Sequence, residues 1–327
     1  MPHYSALNIP SLFFSFGVAA ALFARPAVAP DLDASVEVSR AIEPAKHPTL
    51  IPWLEMNLPF EDVASRSGVS GLDHACEGLK AWAQVTDVAI VTTVPARVEG
   101  VYAALMRDKP ANLHVIGGFK THFDLRPTFH EAAGWERLAR VARRVVALTG
   151  NNVVVLENET ALGEFHGGRS PKTLAEISAV LRPLAETGLE FWWNMPVVLL
   201  DTPSNARRRE ETAELTRRVY AAVPRSRFLT GYRAWAENPL AEALRGAEVQ
   251  MHETVPESRT IEKLQVRLAG PPYSGGKRFF TPAEALQELS RRKSAACIVY
   301  TGETDWVRVA EEFGRLMRVD PNAARRQ

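Results

Sequence analysis

Short apolar runs alternate with amphipathic stretches along most of this chain, and that alternation limits its possible folds more than any other feature. The runs 50–55, 87–92, 113–117, 153–156, 189–193, 227–230, 249–252 and 297–300 read as eight strands. Between them lie stretches such as 135–146, where apolar residues recur at three and four positions and arginines take the other side. Strands joined by helices run parallel and need helical cover, and eight units is the number that closes such a sheet. The expected fold class is α/β, a (β/α)8 TIM barrel forming one domain over 50–318. An open doubly wound sheet is the rival, but no Gly-x-Gly-x-x-Gly follows an early strand and no Gly-x-x-x-x-Gly-Lys-Ser/Thr occurs.

Helix punctuation agrees with this division. Ser170-Pro171 and Thr281-Pro282-Ala283-Glu284 each supply a cap and a first-turn proline, and Gly188 stops the stretch before it. Pro52 weakens the first strand, because proline donates no ladder hydrogen bond. The Gly- and Pro-rich segment 269–280 reads as a loop between two helices of the seventh unit. Its Gly275-Gly276-Lys277 reads as a flexible turn, with a phosphate cradle as the alternative.

Composition narrows the function classes. With 39 Lys+Arg against 38 Asp+Glu among 327 residues, the chain offers no long positive face for a phosphate backbone, so nucleic acid is not an expected partner. Cys76 and Cys297 are too few for a disulfide scaffold or a cysteine-rich zinc site. At the N-terminus, 9–24 is nearly all apolar, Arg25 ends the run, and Ala27-Val28-Ala29 has the spacing of a signal-peptidase site. Residues 1–29 therefore read as an export signal, 30–49 as a lead-in and 319–327 as a polar tail. The mature protein is expected outside the cytoplasm, with no stable membrane span, because the apolar run is shorter than the ~20 residues a spanning helix needs.

In a barrel of this kind the working face lies at the C-terminal strand ends. Those ends are rich in carboxylates, amides and aromatics: Glu55, Thr92, Lys120 with His122, the group from Glu157 to Glu159, Trp193 and Asn194, Tyr232 with Trp235, Glu253, and Tyr300. Carboxylates and amides bind hydroxyls, and flat indole or phenol faces cover the apolar side of a sugar ring, so the expected partner is a carbohydrate substrate. Glu55, His122, Trp193, Asn194, Trp235 and Tyr300 are the candidate binding residues. Trp192 and Trp193 point to opposite faces of one strand, so at least one of them packs in the core. Trp53, Trp82 and Trp135 read as core. His114, His122 and His252 lack the pattern of a metal-dependent amidohydrolase, so no metal is expected.

Asn158-Glu159 after the fourth strand and Glu253 after the expected seventh resemble the clan of (β/α)8 retaining glycoside hydrolases. That resemblance implies Glu159 as acid/base, Asn158 as ligand of the sugar 2-hydroxyl, Glu253 as nucleophile, Tyr232 as the nucleophile's partner, and no cofactor. The two carboxyls would then stand about 5 to 5.5 Å apart. The chain departs from the clan at Thr160, where proline is common. Its second-strand arginine is represented only by a displaced Arg97, and its eighth-strand aromatic by either Tyr300 or Trp306. Glu157 competes with Glu159, since a shift of two residues keeps the side-chain direction. Two other readings stand beside hydrolysis: a non-catalytic carbohydrate-binding barrel, and a lyase or aldolase forming a Schiff base on Lys120.

Overall fold

The computed structural model describes residues 49–56, 71–121, 131–157, 174–194, 206–231, 234–239, 241–268, 277–291, 296–301 and 306–319. Eight strands pair in chain order, all parallel, and β8 closes onto β1. They are β1 (Thr49–Glu55), β2 (Val88–Thr93), β3 (His114–Lys120), β4 (Val153–Glu157), β5 (Glu190–Asn194), β6 (Ser226–Thr230), β7 (Thr260–Val266) and β8 (Ala296–Thr301). Among the described residues the helices are α1 (Gly71–Trp82), α2 (Val98–Asp108), α3 (Ala132–Thr149), α4 (Leu174–Ala185), α5 (Ala206–Ala222), α6 (Ala241–His252), α7 (Pro282–Leu289) and α8 (Trp306–Val319). The fold is the expected (β/α)8 barrel. None of these helices is long and apolar enough to cross a membrane.

The local signals act as the sequence suggests. α3 buries Trp135, Leu138, Ala139, Ala142, Val145 and Val146, its apolar stripe, and ends at Gly150 with φ 72°, a conformation that glycine adopts without strain. Thr281 caps α7: its hydroxyl accepts from the Glu284 N–H, and the Glu284 carboxylate accepts from the Thr281 N–H. Gly188, with φ 70°, follows α4 and its last turn.

The seventh strand is not where the sequence reading puts it. Residues 249–252 are the last turn of α6, where Leu244, Ala247 and Met251 face the core at helical spacing and Val249 is 63% exposed. The true strand, Thr260–Val266, carries Glu262, Lys263 and Gln265, so it lacks the continuous apolar run typical of a parallel strand. Likewise the segment 269–280 is not a loop between helices throughout. Arg278 pairs with Glu237 and Phe280 with Val266, adding short bridges beyond the ends of β6 and β7.

Two cores flank the sheet. Outside, the helices pack on residues such as Leu54, Val91, Leu156 and Trp193. Inside, the pairing register stacks side chains in layers contributed by alternate strands. Ile51, Ile116, Trp192 and Ile261 form one layer, and Ile90, Val155, Leu229 and Ile298 the next towards the C-terminal ends; all eight are buried. Below them the Glu190 carboxylate accepts from the Trp192 indole at 2.7 Å and the Arg227 guanidinium at 3.0 Å, closing the N-terminal end with a charged pair.

β2 and β3 are locked by Tyr102 of α2. Its hydroxyl lies 2.6 Å from the Val91 carbonyl and 2.8 Å from that of Gly118, and accepts from the Gly118 N–H at 2.7 Å. Burial pushes the Tyr102 phenol far above its ordinary range, which keeps it a neutral donor. Gly118 cannot be larger: a Cβ there would fall 2.6 Å from the Val155 Cβ and 3.0 Å from the Thr92 Cγ2. Gly118→Ala is expected to lower stability by about 1–3 kcal/mol through overpacking. Tyr102→Phe should cost a similar amount, about 1–3 kcal/mol, by orphaning buried backbone groups. Urea unfolding of each variant measures both.

Candidate active site at the C-terminal mouth of the barrel

Above the two apolar layers the interior turns polar. The next layer holds Trp53, Gly118, Asn194 and Lys263; then come Thr92 and Glu157, in register with Gly231 and Tyr300; and Glu55, Lys120 and Gln265 stand at the top. These residues lie between the middle of their strands and the position just past their ends, so the barrel's own geometry brings them to its C-terminal half. Every described polar side chain among them except Lys120 is buried.

Lys120 binds two carboxylates. Its ammonium pairs closely with Glu55 and lies 3.1 Å from Glu157. Burial draws the Lys120 amine down, but the charges of Glu157 and Glu55 and their hydrogen bonds outweigh it and hold the amine above its ordinary value. Glu157 is also fixed from below. The Trp53 indole N–H donates to the Thr92 hydroxyl at 2.9 Å, and that hydroxyl donates to Glu157 Oε2 at 3.2 Å. With its lone pair facing the indole, the Thr92 hydroxyl directs its proton at the carboxylate. One level deeper, the Lys263 ammonium donates to Asn194 Oδ1 at 3.0 Å and stands 5.5 Å over the Trp53 ring.

A second group frames the rim beyond β6 and β7. Trp235 meets Phe279 edge-on at 5.0 Å, Arg267 stacks on Phe279 at 4.2 Å, and the buried Lys277 amine sits 5.2 Å over Trp235. Burial pulls the Lys277 amine below its ordinary value.

Of the expected site residues, Glu55 and Asn194 reach the mouth and Trp235 its rim. Tyr300 lies on β8, its backbone in register with Trp53 and Gln265. Asn158, Glu159, His122 and Tyr232 lie outside the described residues. Two expectations are corrected. Trp193 faces outward, donates to the Ser226 hydroxyl at 2.9 Å and packs on Trp135, so it belongs to the outer core. Glu253 follows α6 ahead of β7, at the N-terminal end of the barrel; its side chain is 66% exposed and pairs with Arg217 at 3.2 Å. It faces solvent at the end opposite the mouth and cannot oppose a fourth-strand carboxylate there.

The mouth also contains residues the sequence reading left out of the site: Trp53, Thr92, Lys263 and Gln265. Lys120 and Glu157 enter it from the competing readings. Thr92 was visible as a strand end, and the alternation Ile261, Lys263, Gln265 marks an inward face once β7 is placed correctly. Among the described residues no cluster of His, Cys, Asp or Glu is suited to a metal ion.

Fold and site together define a (β/α)8 barrel whose mouth holds, among the described residues, two lysines and two carboxylates. Neither a protein-family model nor a curated protein sequence matches the chain. Among solved structures it is similar to a D-allulose 3-epimerase from Methylomonas sp. (14% identity, TM-score 0.46, 84% of this chain and 99% of that one). It is also similar to the Xanthomonas albilineans dihydropteroate synthase (12%, 0.45, 84% and 92%) and to tryptophan synthase from M. tuberculosis (14%, 0.41, 88% and 94%). These likenesses reach no further than the barrel.

Removing Lys120 leaves two buried carboxylates against each other without their shared cation. Lys120→Met should therefore cost about 3–5 kcal/mol, and adding Glu55→Gln to it should restore part of that loss. The pH dependence has a definite sign. Folding raises the Lys120 amine above its ordinary value of 10.5, so its ion pairs stabilise fully below that value and lose effect as pH climbs through the higher folded one. Denaturant titrations from neutral to strongly alkaline pH should show that decline in the wild type and a shallower one in Lys120→Met.

Proposed function

We propose that this barrel is an enzyme that moves protons on a small hydroxylated carbonyl compound, an open-chain sugar or a close chemical relative, bound in its C-terminal mouth. The observation that carries the reading is the Glu55–Lys120–Glu157 cluster, anchored by Thr92 above the buried Lys263. Proton removal beside a carbonyl needs a positioned carboxylate as base and a cation near the oxygen on which negative charge develops. Glu157, oriented by the Thr92 hydroxyl, takes the part of the base. Lys120 supplies the positive charge and, as a donor, can return a proton. Gln265, at the top of the mouth, offers an amide contact to substrate hydroxyls, which keeps the expectation of a carbohydrate partner.

In the same mouth, glycosidic bond cleavage with retention needs one carboxylic acid that holds its proton and one carboxylate free to attack, whereas Glu55 and Glu157 share the Lys120 ammonium. With Glu253 at the opposite end, the two-carboxylate hydrolase reading also loses its expected nucleophile.

The test is isotopic exchange. In deuterated buffer the protein should exchange the hydrogen beside the carbonyl of at least one of dihydroxyacetone, D-fructose or pyruvate, followed by NMR. Glu157→Gln should slow this by about 10²–10⁴-fold. Absence of exchange with all three probes, together with release of nitrophenol from aryl glycosides, would replace this reading by hydrolysis.

A further inference from the structure

Lys263 is the buried nucleophile that proton transfer by Glu157 and Lys120 leaves unused. It is 2% exposed, faces the barrel interior from β7, and sits in the deepest polar layer, directly above Ile90, Val155, Leu229 and Ile298. A lysine amine on the inner face of a barrel strand is placed to attack a carbonyl bound above it. Lys120, for which the sequence offers that role only as an alternative, is engaged by two carboxylates. The structure thus divides two tasks between two lysines: a shared cation at the top of the mouth and an amine at its floor. From this, and resting on the proposed carbonyl chemistry, we infer that Lys263 forms a Schiff base with the substrate carbonyl.

The step balances without a further reactant. The Lys263 ammonium and the carbonyl give an iminium and water: a C–N bond forms, the C–O double bond breaks, and two of the three ammonium protons leave with the oxygen. The first passes to a mouth carboxylate before the attack, freeing the lone pair that forms the C–N bond, and from there to the carbinolamine oxygen; the second leaves the nitrogen as the hydroxyl departs and completes the water. The proton that stays on nitrogen keeps an acceptor, because Asn194 Oδ1 already receives from this amine at 3.0 Å. The positive iminium lies over the face of Trp53, where the ammonium now stands. An iminium draws electrons from the neighbouring carbon and makes its hydrogen easier for Glu157 to remove. The layers above Lys263 carry Glu157 from β4 and, at the top, Glu55 from β1 and Lys120 from β3.

Borohydride reduction in the presence of dihydroxyacetone, D-fructose or pyruvate turns such an imine into a permanent secondary amine that peptide mass mapping can place. With the intact chain, the adduct should concentrate on Lys263, about tenfold or more over an exposed lysine such as Lys80. Lys120→Arg should still be labelled at Lys263, and Lys263→Arg should lose the specific adduct. The mapping on wild-type protein decides the matter even where a variant folds poorly. Glu157-dependent exchange without any adduct on Lys263 would overturn the Schiff base and leave the proposed function standing. An adduct on Lys120 instead of Lys263 would overturn the division of roles, and loss of both exchange and adduct would overturn both readings.

Discussion

Closure of the sheet is the constraint from which the rest follows. Eight parallel strands can close only with a stagger, and the stagger forces inward side chains into stacked layers drawn from alternate strands. Height in the barrel then becomes a chemical coordinate. Isoleucine, valine and leucine fill the middle, a charged pair with Trp192 closes the N-terminal end, and polarity rises step by step towards the C-terminal end. The described charged residues of the mouth lie on the strands themselves. One wide residue, Trp53, shares its layer with a residue that has no side chain, Gly118, and this economy of volume lets Asn194 and Lys263 meet in the same plane.

The same closure makes the mouth expensive. Buried charges are weak stabilisers, since the loss of hydration offsets most of their attraction, and a hydrophobic substitute of equal size would often do as well for folding. Two ammonium groups and two carboxylates concentrated in the top layers are therefore hard to explain as packing. They are kept mutually satisfied: Glu55 and Glu157 share Lys120, Thr92 is committed to Glu157 by Trp53, and Lys263 is held by Asn194. A network of this kind fixes side-chain directions in advance, which is what the proposed chemistry requires.

Much of the architecture was legible because the outer face of a barrel strand and the inner face of its helix obey simple periods. Val153 to Leu156 could only be a doubly buried strand, the stripe of α3 could only face a sheet, and Thr281 to Glu284 carried a complete capping box. The mouth was legible at β1 and β5, where Glu55 and Asn194 stand at the ends of clear apolar runs. It was illegible at β7 for a physical reason. The upper interior is polar, so the strand that lines it with Lys263 and Gln265 loses its apolar signature, while the amphipathic end of α6 imitates one. The polar residues that line the mouth disguised the element that carries them. Glu253 inherited its expected role from that displacement, and Trp193 from an alternation whose inward member was Trp192.

The order of the layers also bears on how a substrate would lie. A molecule entering from the C-terminal end meets Glu55, Lys120 and Gln265 first, then Glu157 and Thr92, and Lys263 last. On the proposed chemistry, its carbonyl must therefore lead, and its hydroxyl-bearing remainder must trail towards the rim where Trp235, Phe279 and Lys277 gather. An electrophile at the floor with the base one layer above it places the carbon next to the carbonyl at the height of Glu157. The reverse orientation would put hydroxyls against Trp53 and the isoleucine layer, where no described polar group below Lys263 and Asn194 could receive them until the Glu190–Arg227 pair. The polarity gradient of the barrel thus selects one direction of binding, and that direction aligns the reacting carbon with the carboxylate that the Thr92 hydroxyl has already aimed.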